Sequence, residues 1–330
     1  MQADRRKVLL QMGAGAVAAG AWAVGARDVL ADNFPTKPVR IVLPYPAGGA
    51  TDVLTRAIAE SLSKSWKQPV IVDNKPGASG MIGADAVAKS APDGYTALVT
   101  ITSFVQAVSL YAKPPYDVLK DFAPATELGT SPIVYCVNAS SPARNLAEFI
   151  ALAKSKPGEL SFASYGTGSG AHLYHTILQD TTGMNLIHVP YKGEAPILND
   201  LLGGQVTVAF NSVMAVKPHI ASGKLRALAL TGTARSPQLP NVPTFAEAGV
   251  PNMDMAGWFG LLLPGKTPRP VVEKFSADVR RALAEPALRA RMAEMGITLS
   301  GSAPDDFALV VRNDYARWGK VIRTHNIKLD

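Results

Sequence analysis

Along this chain, short runs of β-branched and other apolar residues alternate with segments whose apolar positions recur every three to four residues. The run "VRIVLPY" (39–45) is followed by Leu54, Ile58 and Leu62 at i, i+4 and i+8. The run predicts a strand, and the spacing a helix with one buried face. "VIVDN" (70–74) leads through "KPGASG" into a helix containing Ile82, Ala86 and Val87, and "YTALVTI" (95–101) predicts a third strand. A second series begins at "PIVYCVN" (132–138) and continues with a helix over 146–154, the strand "LSFASY" (160–165) and a helix over about 170–180. "LIHVPY" (186–191), a helix over 196–202, "VTVAF" (206–210) and "LRALALTG" (225–232) complete that series. "GWFGLLLP" (257–264) is a further apolar strand, and helices over 270–284 and 305–323 flank a shorter one opened by Glu285-Pro286. Strands and helices alternating in this way define an α/β class.

Residues 1–31 stand apart from this pattern. Arg5-Arg6-Lys7 precede an Ala/Gly-rich apolar stretch, and Val29-Leu30-Ala31 offers small or apolar residues before a cut. This is the layout of a signal peptide, with cleavage expected after Ala31 and export of the rest of the chain. The stretch is short for a membrane span of roughly 20 residues and is diluted by glycine, which disfavours an anchor. Arg5-Arg6 also fit the twin-arginine type of leader, although Asp4 and Val8 depart from its favoured residues. An exported chain with two α/β series predicts a venus-flytrap binding protein of two domains. Each domain would carry a mixed, mostly parallel sheet, with a ligand cleft between them at the strand ends. The first domain is expected over 32–133 and 255–330 and the second over 134–254, with chain crossings near 130–134 and 253–258.

The composition, 47% hydrophobic and 18% charged over 330 residues, is that of an ordinary globular chain. Formal net charge is +7, of which the leader contributes +2, leaving +5 on the mature protein. The basic residues are scattered rather than clustered with aromatics, which argues against nucleic acid and leaves a mild field that favours small anions. Cys136 is the only cysteine, so no internal disulfide can form and the exported fold must be held by its core.

Two stretches share a strand–glycine–helix design, "LPYPAGGATD" (43–52) and "SYGTGSGAHL" (164–173). Glycines there let backbone amides converge at a helix N-terminus, where partial positive charge favours an anion. Thr51, Thr167 and Ser169 add hydroxyl donors. Neither loop has the lysine that a phosphate loop requires. Gly166-x-Gly168-x-x-Ala171 formally satisfies a dinucleotide pattern, but Val189-Pro190-Tyr191 stands where an acidic ribose partner is expected, and only Lys192 could serve a 2′-phosphate. No G-x-S-x-G occurs. His172 and His175 could reach one metal, yet no Glu or Cys completes a ligand set nearby, so no metal or cofactor is expected. An exported carboxylate-processing or dinucleotide-dependent enzyme remains the alternative to a non-enzymatic receptor.

The segments "LPYPAGGATDVLTRAIAESL", "VIVDNKPGASGMIGADAVAKSAPDGYT", "HVPYKGEAPILNDLLGGQV" and "GKLRALALTGTARSPQLPNVPTFAEAGVP" resemble the Bug family, solute-binding proteins of tripartite tricarboxylate transporters. The resemblance runs from about Pro38 to Trp318. It implies a monomeric periplasmic receptor that closes on a small di- or tricarboxylate or aromatic acid, for the membrane subunits of such a transporter or for a sensing pathway. In the family both glycine loops grip one ligand carboxylate through amides, hydroxyls and bridging water. The matching positions are Tyr45, Ala47, Gly48, Gly49 and Asp52 in the first loop, Ser164, Gly166, Gly168, Ser169 and His172 in the second, and Asn211 at a strand end. Tyr165 and Thr167 depart from the family's usual small hydroxyl and Asn but sit at the same ligand position. Ala171, Thr176 and Asn211 also depart, the last two from a common acid. Losing an acid suits an anionic distal group on the ligand and disfavours an ammonium.

Overall fold

The computed structural model describes residues 34–329, so the expected leader lies outside the described residues. The first sheet begins with β1 (Val39–Leu43), whose Val39, Ile41, Val42 and Leu43 are fully buried. The chain passes through the first glycine loop into α1 (Ala50–Trp66) and returns as β2 (Val70–Asn74), parallel beside β1. Helix α1 buries Leu54, Ile58 and Leu62 as its spacing requires, and ends where Lys67 adopts a left-handed conformation. Next, α2 (Met81–Ala88) leads to β3 (Thr96–Ile101), parallel to β1 on its other side, and the short α3 (Ser103–Ala107) follows at its C-terminal end. After β4 (Phe122–Ser131) the chain crosses at Pro132 into the second sheet.

That sheet is built from β5 (Ile133–Asn138), β6 (Ser161–Ser164), β7 (Ile187–Pro190), β8 (Val208–Ser212) and β9 (Leu225–Leu230), in the order β7-β6-β8-β5-β9. Its helices are α4 (Leu146–Ser155), α5 (Gly170–Thr182), α6 (Glu194–Leu202) and α7 (Val213–Ala221). The chain then returns to the first sheet as β10 (Gly257–Pro264). It ends with α8 (Arg269–Leu283), α9 (Pro286–Glu294), β11 (Thr298–Leu299) and α10 (Pro304–Thr324). The first sheet has the order β11-β4-β10-β3-β1-β2.

Both sheets are mixed, but parallel pairing does not dominate as the sequence suggested. Strand β1 pairs parallel with β2 and β3, and β6 with β7 and β8. Strand β10 runs antiparallel to β3 and β4, β11 to β4, and β5 to β8 and β9. The cause is connectivity: β5 and β10 each enter their sheet from the other one, without the helical crossover that brings a strand back parallel.

Helix α10 touches both units. Phe307 packs so closely on β10 that a β-carbon at Gly260 would lie 2.1 Å from its ring. Further along, Trp318 meets Tyr174 of α5 edge-on, with ring centroids 5.1 Å apart. His325, just past the helix end, places Nε2 2.8 Å from Asp180 Oδ2, also on α5.

Candidate functional site

The C-terminal ends of β1, β3 and β6 open on a cavity of about 810 Å³ between the sheets. None of the residues lining it is Lys, Arg, Asp, Glu or His. Its walls come from the first loop at Pro44, Tyr45 and Pro46, from α3, from the start of β10 at Trp258 and Phe259, and from the second loop and the first turn of α5.

The first loop exposes Pro46, Ala47, Gly48 and Gly49. Beneath it, Asp52 is buried and accepts three hydrogen bonds: from the Gly48 amide at 3.0 Å, Arg56 Nε at 2.9 Å and Asn74 Nδ2 at 3.1 Å. The Arg56 hydrogen bond, helped by the Gly48 and Asn74 donors, outweighs burial and lowers the Asp52 carboxyl to about 2. Asp52 is therefore an ionised brace. Tyr45 is a second brace, its hydroxyl lying 2.9 Å from Thr100 Oγ1 and 3.1 Å from Ser103 Oγ, and burial raises its phenol.

The second loop uses a neutral brace. The Gly168 amide donates to Nδ1 of His172 at 3.0 Å. The His172 ring stacks on His188 at 4.1 Å, and His188 on Phe162 at 4.7 Å. Burial, with smaller effects of His188 and His325, lowers His172 to about 4, so it accepts as neutral imidazole. Ser164 Oγ lies 2.7 Å from His188 Nε2 and 3.0 Å from the Gly166 carbonyl oxygen. Ser169 caps α5 by accepting the His172 amide at 3.4 Å, which leaves its own O–H free to donate outward. His175 continues this stack from the other side of Phe162, with ring centroids 3.6 Å apart; it is fully buried, with Nδ1 3.3 Å from Tyr135 Oη. Among the described residues no group of three or more His, Cys, Asp or Glu could hold a metal.

Of the positions named from the sequence, Tyr45, Tyr165, Thr167, Gly168 and Ser169 line the cavity. Ala47, Gly48 and Gly49 lie on the exposed rim, and Asp52, Ser164, Gly166 and His172 stand behind or within the loops. Asn211 is buried with Nδ2 on Cys136 Sγ at 3.5 Å, and its Oδ1 has no partner. Cys136 is itself buried, and burial pushes its thiol up to about 12, so it is an inert core residue. Sequence reasoning missed α3, which contributes Gln106, Ala107 and nearby Leu110 to the wall. A polar residue inside the apolar run "SFVQAVSLY" (103–111) was the signal that could have found it.

The amides of Ala50 and Thr51 in α1, and of Gly170 and Ala171 in α5, have no acceptor among the described residues. Two helix N-termini with free donors, at strand ends in facing sheets, suit the reversible holding of an anion. Together the fold and cleft suit a two-domain solute-binding receptor.

The chain belongs to the TctC family, described as tripartite tricarboxylate transporter family receptor, whose model matches residues 54–327. BugT of Bordetella pertussis is 39% identical over 306 residues, covering 92% of this chain and 94% of BugT. The solved periplasmic binding protein BugD is 34% identical, with a TM-score of 0.73 over 89% of this chain and 99% of that one. Rpa4515 of R. palustris, solved with adipate, is 35% identical, with a TM-score of 0.76 over 89% of this chain and 99% of that one. Bug and TctC proteins are the group that the sequence resemblance indicated.

Proposed function

We propose that this protein is a periplasmic receptor that captures a small di- or tricarboxylate or an aromatic acid. It would pass the acid to the membrane subunits of a tripartite tricarboxylate-type transporter or to a sensing pathway. The observation that carries the reading is the pairing of an uncharged cleft with unpaired amides at the N-terminus of α5. A carboxylate is stabilised there by helix-end charge and hydroxyls, yet meets no lysine or arginine that would hold it too tightly for release. The adipate held by Rpa4515 agrees with this chemistry.

In this reading, residues 32–133 with 255–330 form one jaw and 134–254 the other, and the monomer closes about the two crossings. Tyr165, Thr167, Gly168 and Ser169 meet the ligand first, and Ala47, Gly48 and Gly49 join on closure. Asp52, Ser164, Gly166 and His172 keep the loops in shape, and Asn211 supports the second jaw from below.

A thermal-shift screen of the leaderless protein against adipate, malate, citrate, benzoate and glutamate tests the proposal. An acid at a hundred times its Kd should add about 2.7 kcal/mol of stability. Its methyl ester should add little. A screen in which no acid raises Tm, or in which acid and ester act equally, would refute the carboxylate reading.

A further inference from the structure

We infer that Gln106 is the first domain's reader of the bound carboxylate, an inference that rests on the carboxylate reading above. Gln106 stands on α3 at the end of β3 and is only 3% exposed. Its side-chain amide has no hydrogen-bond partner among the described residues, and the residue forms part of the cleft wall. Neither atom of the amide is sealed off from the cleft, so in the ligand-free fold its hydrogen bonds go to water. A ligand group can take the place of that water.

The placement says which part of the ligand that is. A β-carbon at Gly170, the first residue of α5, would lie 3.9 Å from both Nε2 and Oε1 of Gln106. Gln106 therefore faces, from the first domain, the first turn of α5 in the second, where the amides of Gly170 and Ala171 have no acceptor. A carboxylate resting on that helix end receives donors from both domains at once. Because the glutamine amide is neutral, it adds a hydrogen bond across the cleft without a permanent charge opposite the anion. Nearby, Leu110 packs on Gly168 of the second loop, which keeps α3 and that loop in register.

Calorimetric titration of adipate, malate, citrate and benzoate into the leaderless wild type, Gln106→Leu and Gln106→Glu tests this. Gln106→Leu should weaken the tightest of these acids by roughly tenfold or more, the scale of one hydrogen bond to a charged group, with its circular dichroism unchanged. Gln106→Glu, nearly isosteric but anionic, should weaken the acid further and narrow the preference for the acid over its primary amide. Unchanged affinity in folded Gln106→Leu, with an unchanged acid-over-amide preference in Gln106→Glu, would overturn the inference and leave the carboxylate reading standing. A wild type that binds none of the four acids would overturn both. Should Gln106→Leu not fold, the wild-type Gln106 side-chain amide resonance decides, assigned by its absence from Gln106→Glu. A shift on saturation with the acid supports the role, and an unmoved resonance overturns it.

Discussion

In the β1–α1 loop the Gly48 amide donates to Asp52, and in the β6–α5 loop the Gly168 amide donates to His172. Each acceptor stands four residues on, as the third residue of the following helix. The backbone requirement is the same: one amide is turned inward so that the next ones stay free. The chemistry that meets it is opposite. Asp52 is an ionised carboxylate paired with a half-exposed Arg56, whereas His172 is a neutral imidazole. A negative group in the first turn offsets part of the field of α1, while α5 keeps its field whole, so the second loop is the stronger seat for an anion. Space differs as well. Nothing lies within 4 Å of a β-carbon placed at Gly48 or Gly49, but at Gly168 it would sit 2.7 Å from Leu110 Cδ1.

The largest expected effect follows from that crowding. Gly168→Val would force a branched side chain into φ +74° and against Leu110, wedging α3 from the second loop. Affinity for the cognate acid should fall by roughly a hundredfold or more. Gly49→Ala, at an ordinary extended φ of −76° with open space, should change folding stability by under about 0.5 kcal/mol. Any loss of affinity it causes then reports the ligand's approach to the first loop directly. Comparable unfolding of both variants in urea would erase the distinction between packed and open loop.

Exchanging the braces probes the chemical contrast. Asp52→Ala removes an ionised acceptor of three donors and should cost about 1.5–3 kcal/mol, the range for a hydrogen bond to a charged group. His172→Ala removes a neutral acceptor and should cost about 0.5–1.5 kcal/mol from that bond. Equal costs in chemical denaturation would mean that the charge on Asp52 contributes nothing to the loop.

Much of this architecture was legible in the sequence, and the gaps have physical causes. Strands β1, β3, β5 and β10 are apolar because they are central and covered, so they stood out as runs. Strand β4 did not, since "FAPATELGTS" contains Pro124 and Gly129 and alternates poorly, yet it lies between β10 and β11. Its pairing with β10 shifts register between Leu261 and Leu262, where Leu262 faces Pro124, and such an irregularity lets a strand accommodate proline. Helix α7 was hidden by Pro218 in its interior. At the site, the glycine loops announced themselves by composition. The division into cavity-lining residues and braces did not, because it depends on which way each side chain turns once the loop is formed.

Acid should separate the loops in time. Burial holds His172 neutral, its pKa lowered from 6.5 to about 4, so in that window the unfolded chain binds a proton that the folded chain refuses. Stability therefore falls as pH drops from 6.5 towards 4, by at most about 1.4 kcal/mol per pH unit for this group. His175, pushed to about 3 by burial, adds a slope of the same sign, so His172→Gln should reduce the slope without abolishing it. Below about 4 the protonated Nδ1 can no longer accept the Gly168 amide. The contribution of Asp52, lowered to about 2, is fully present above the ordinary carboxylate value and is lost as pH falls through 2. The amide resonance of Gly168 should thus move before that of Gly48 during acidification, and the reverse order would contradict the assignment of the braces.

A small effect is also expected of Ser169→Ala. Its bond to the His172 amide is long, at 3.4 Å, so the lost cap should cost about 0.5–1 kcal/mol, the lower part of the range for such residues. Affinity should fall by a similar free energy if the outward O–H meets the ligand. Lost stability with full affinity would leave Ser169 a cap alone.

The path of the chain also imposes an order of maturation. Strands β5 to β9 all come from one contiguous stretch, 133–230, so the second sheet is complete once that stretch has been made. The first sheet is not, because β10 (257–264) is the strand that joins β4 to β3. Until it arrives, β3 and β4 each carry an unpaired edge and an uncovered apolar face, and α10 arrives later still. Long-range pairings of this kind form slowly and leave aggregation-prone surface open meanwhile. The half of the receptor that begins first therefore finishes last, and a newborn chain depends on prompt completion, or on a chaperone's cover, until its final third has emerged.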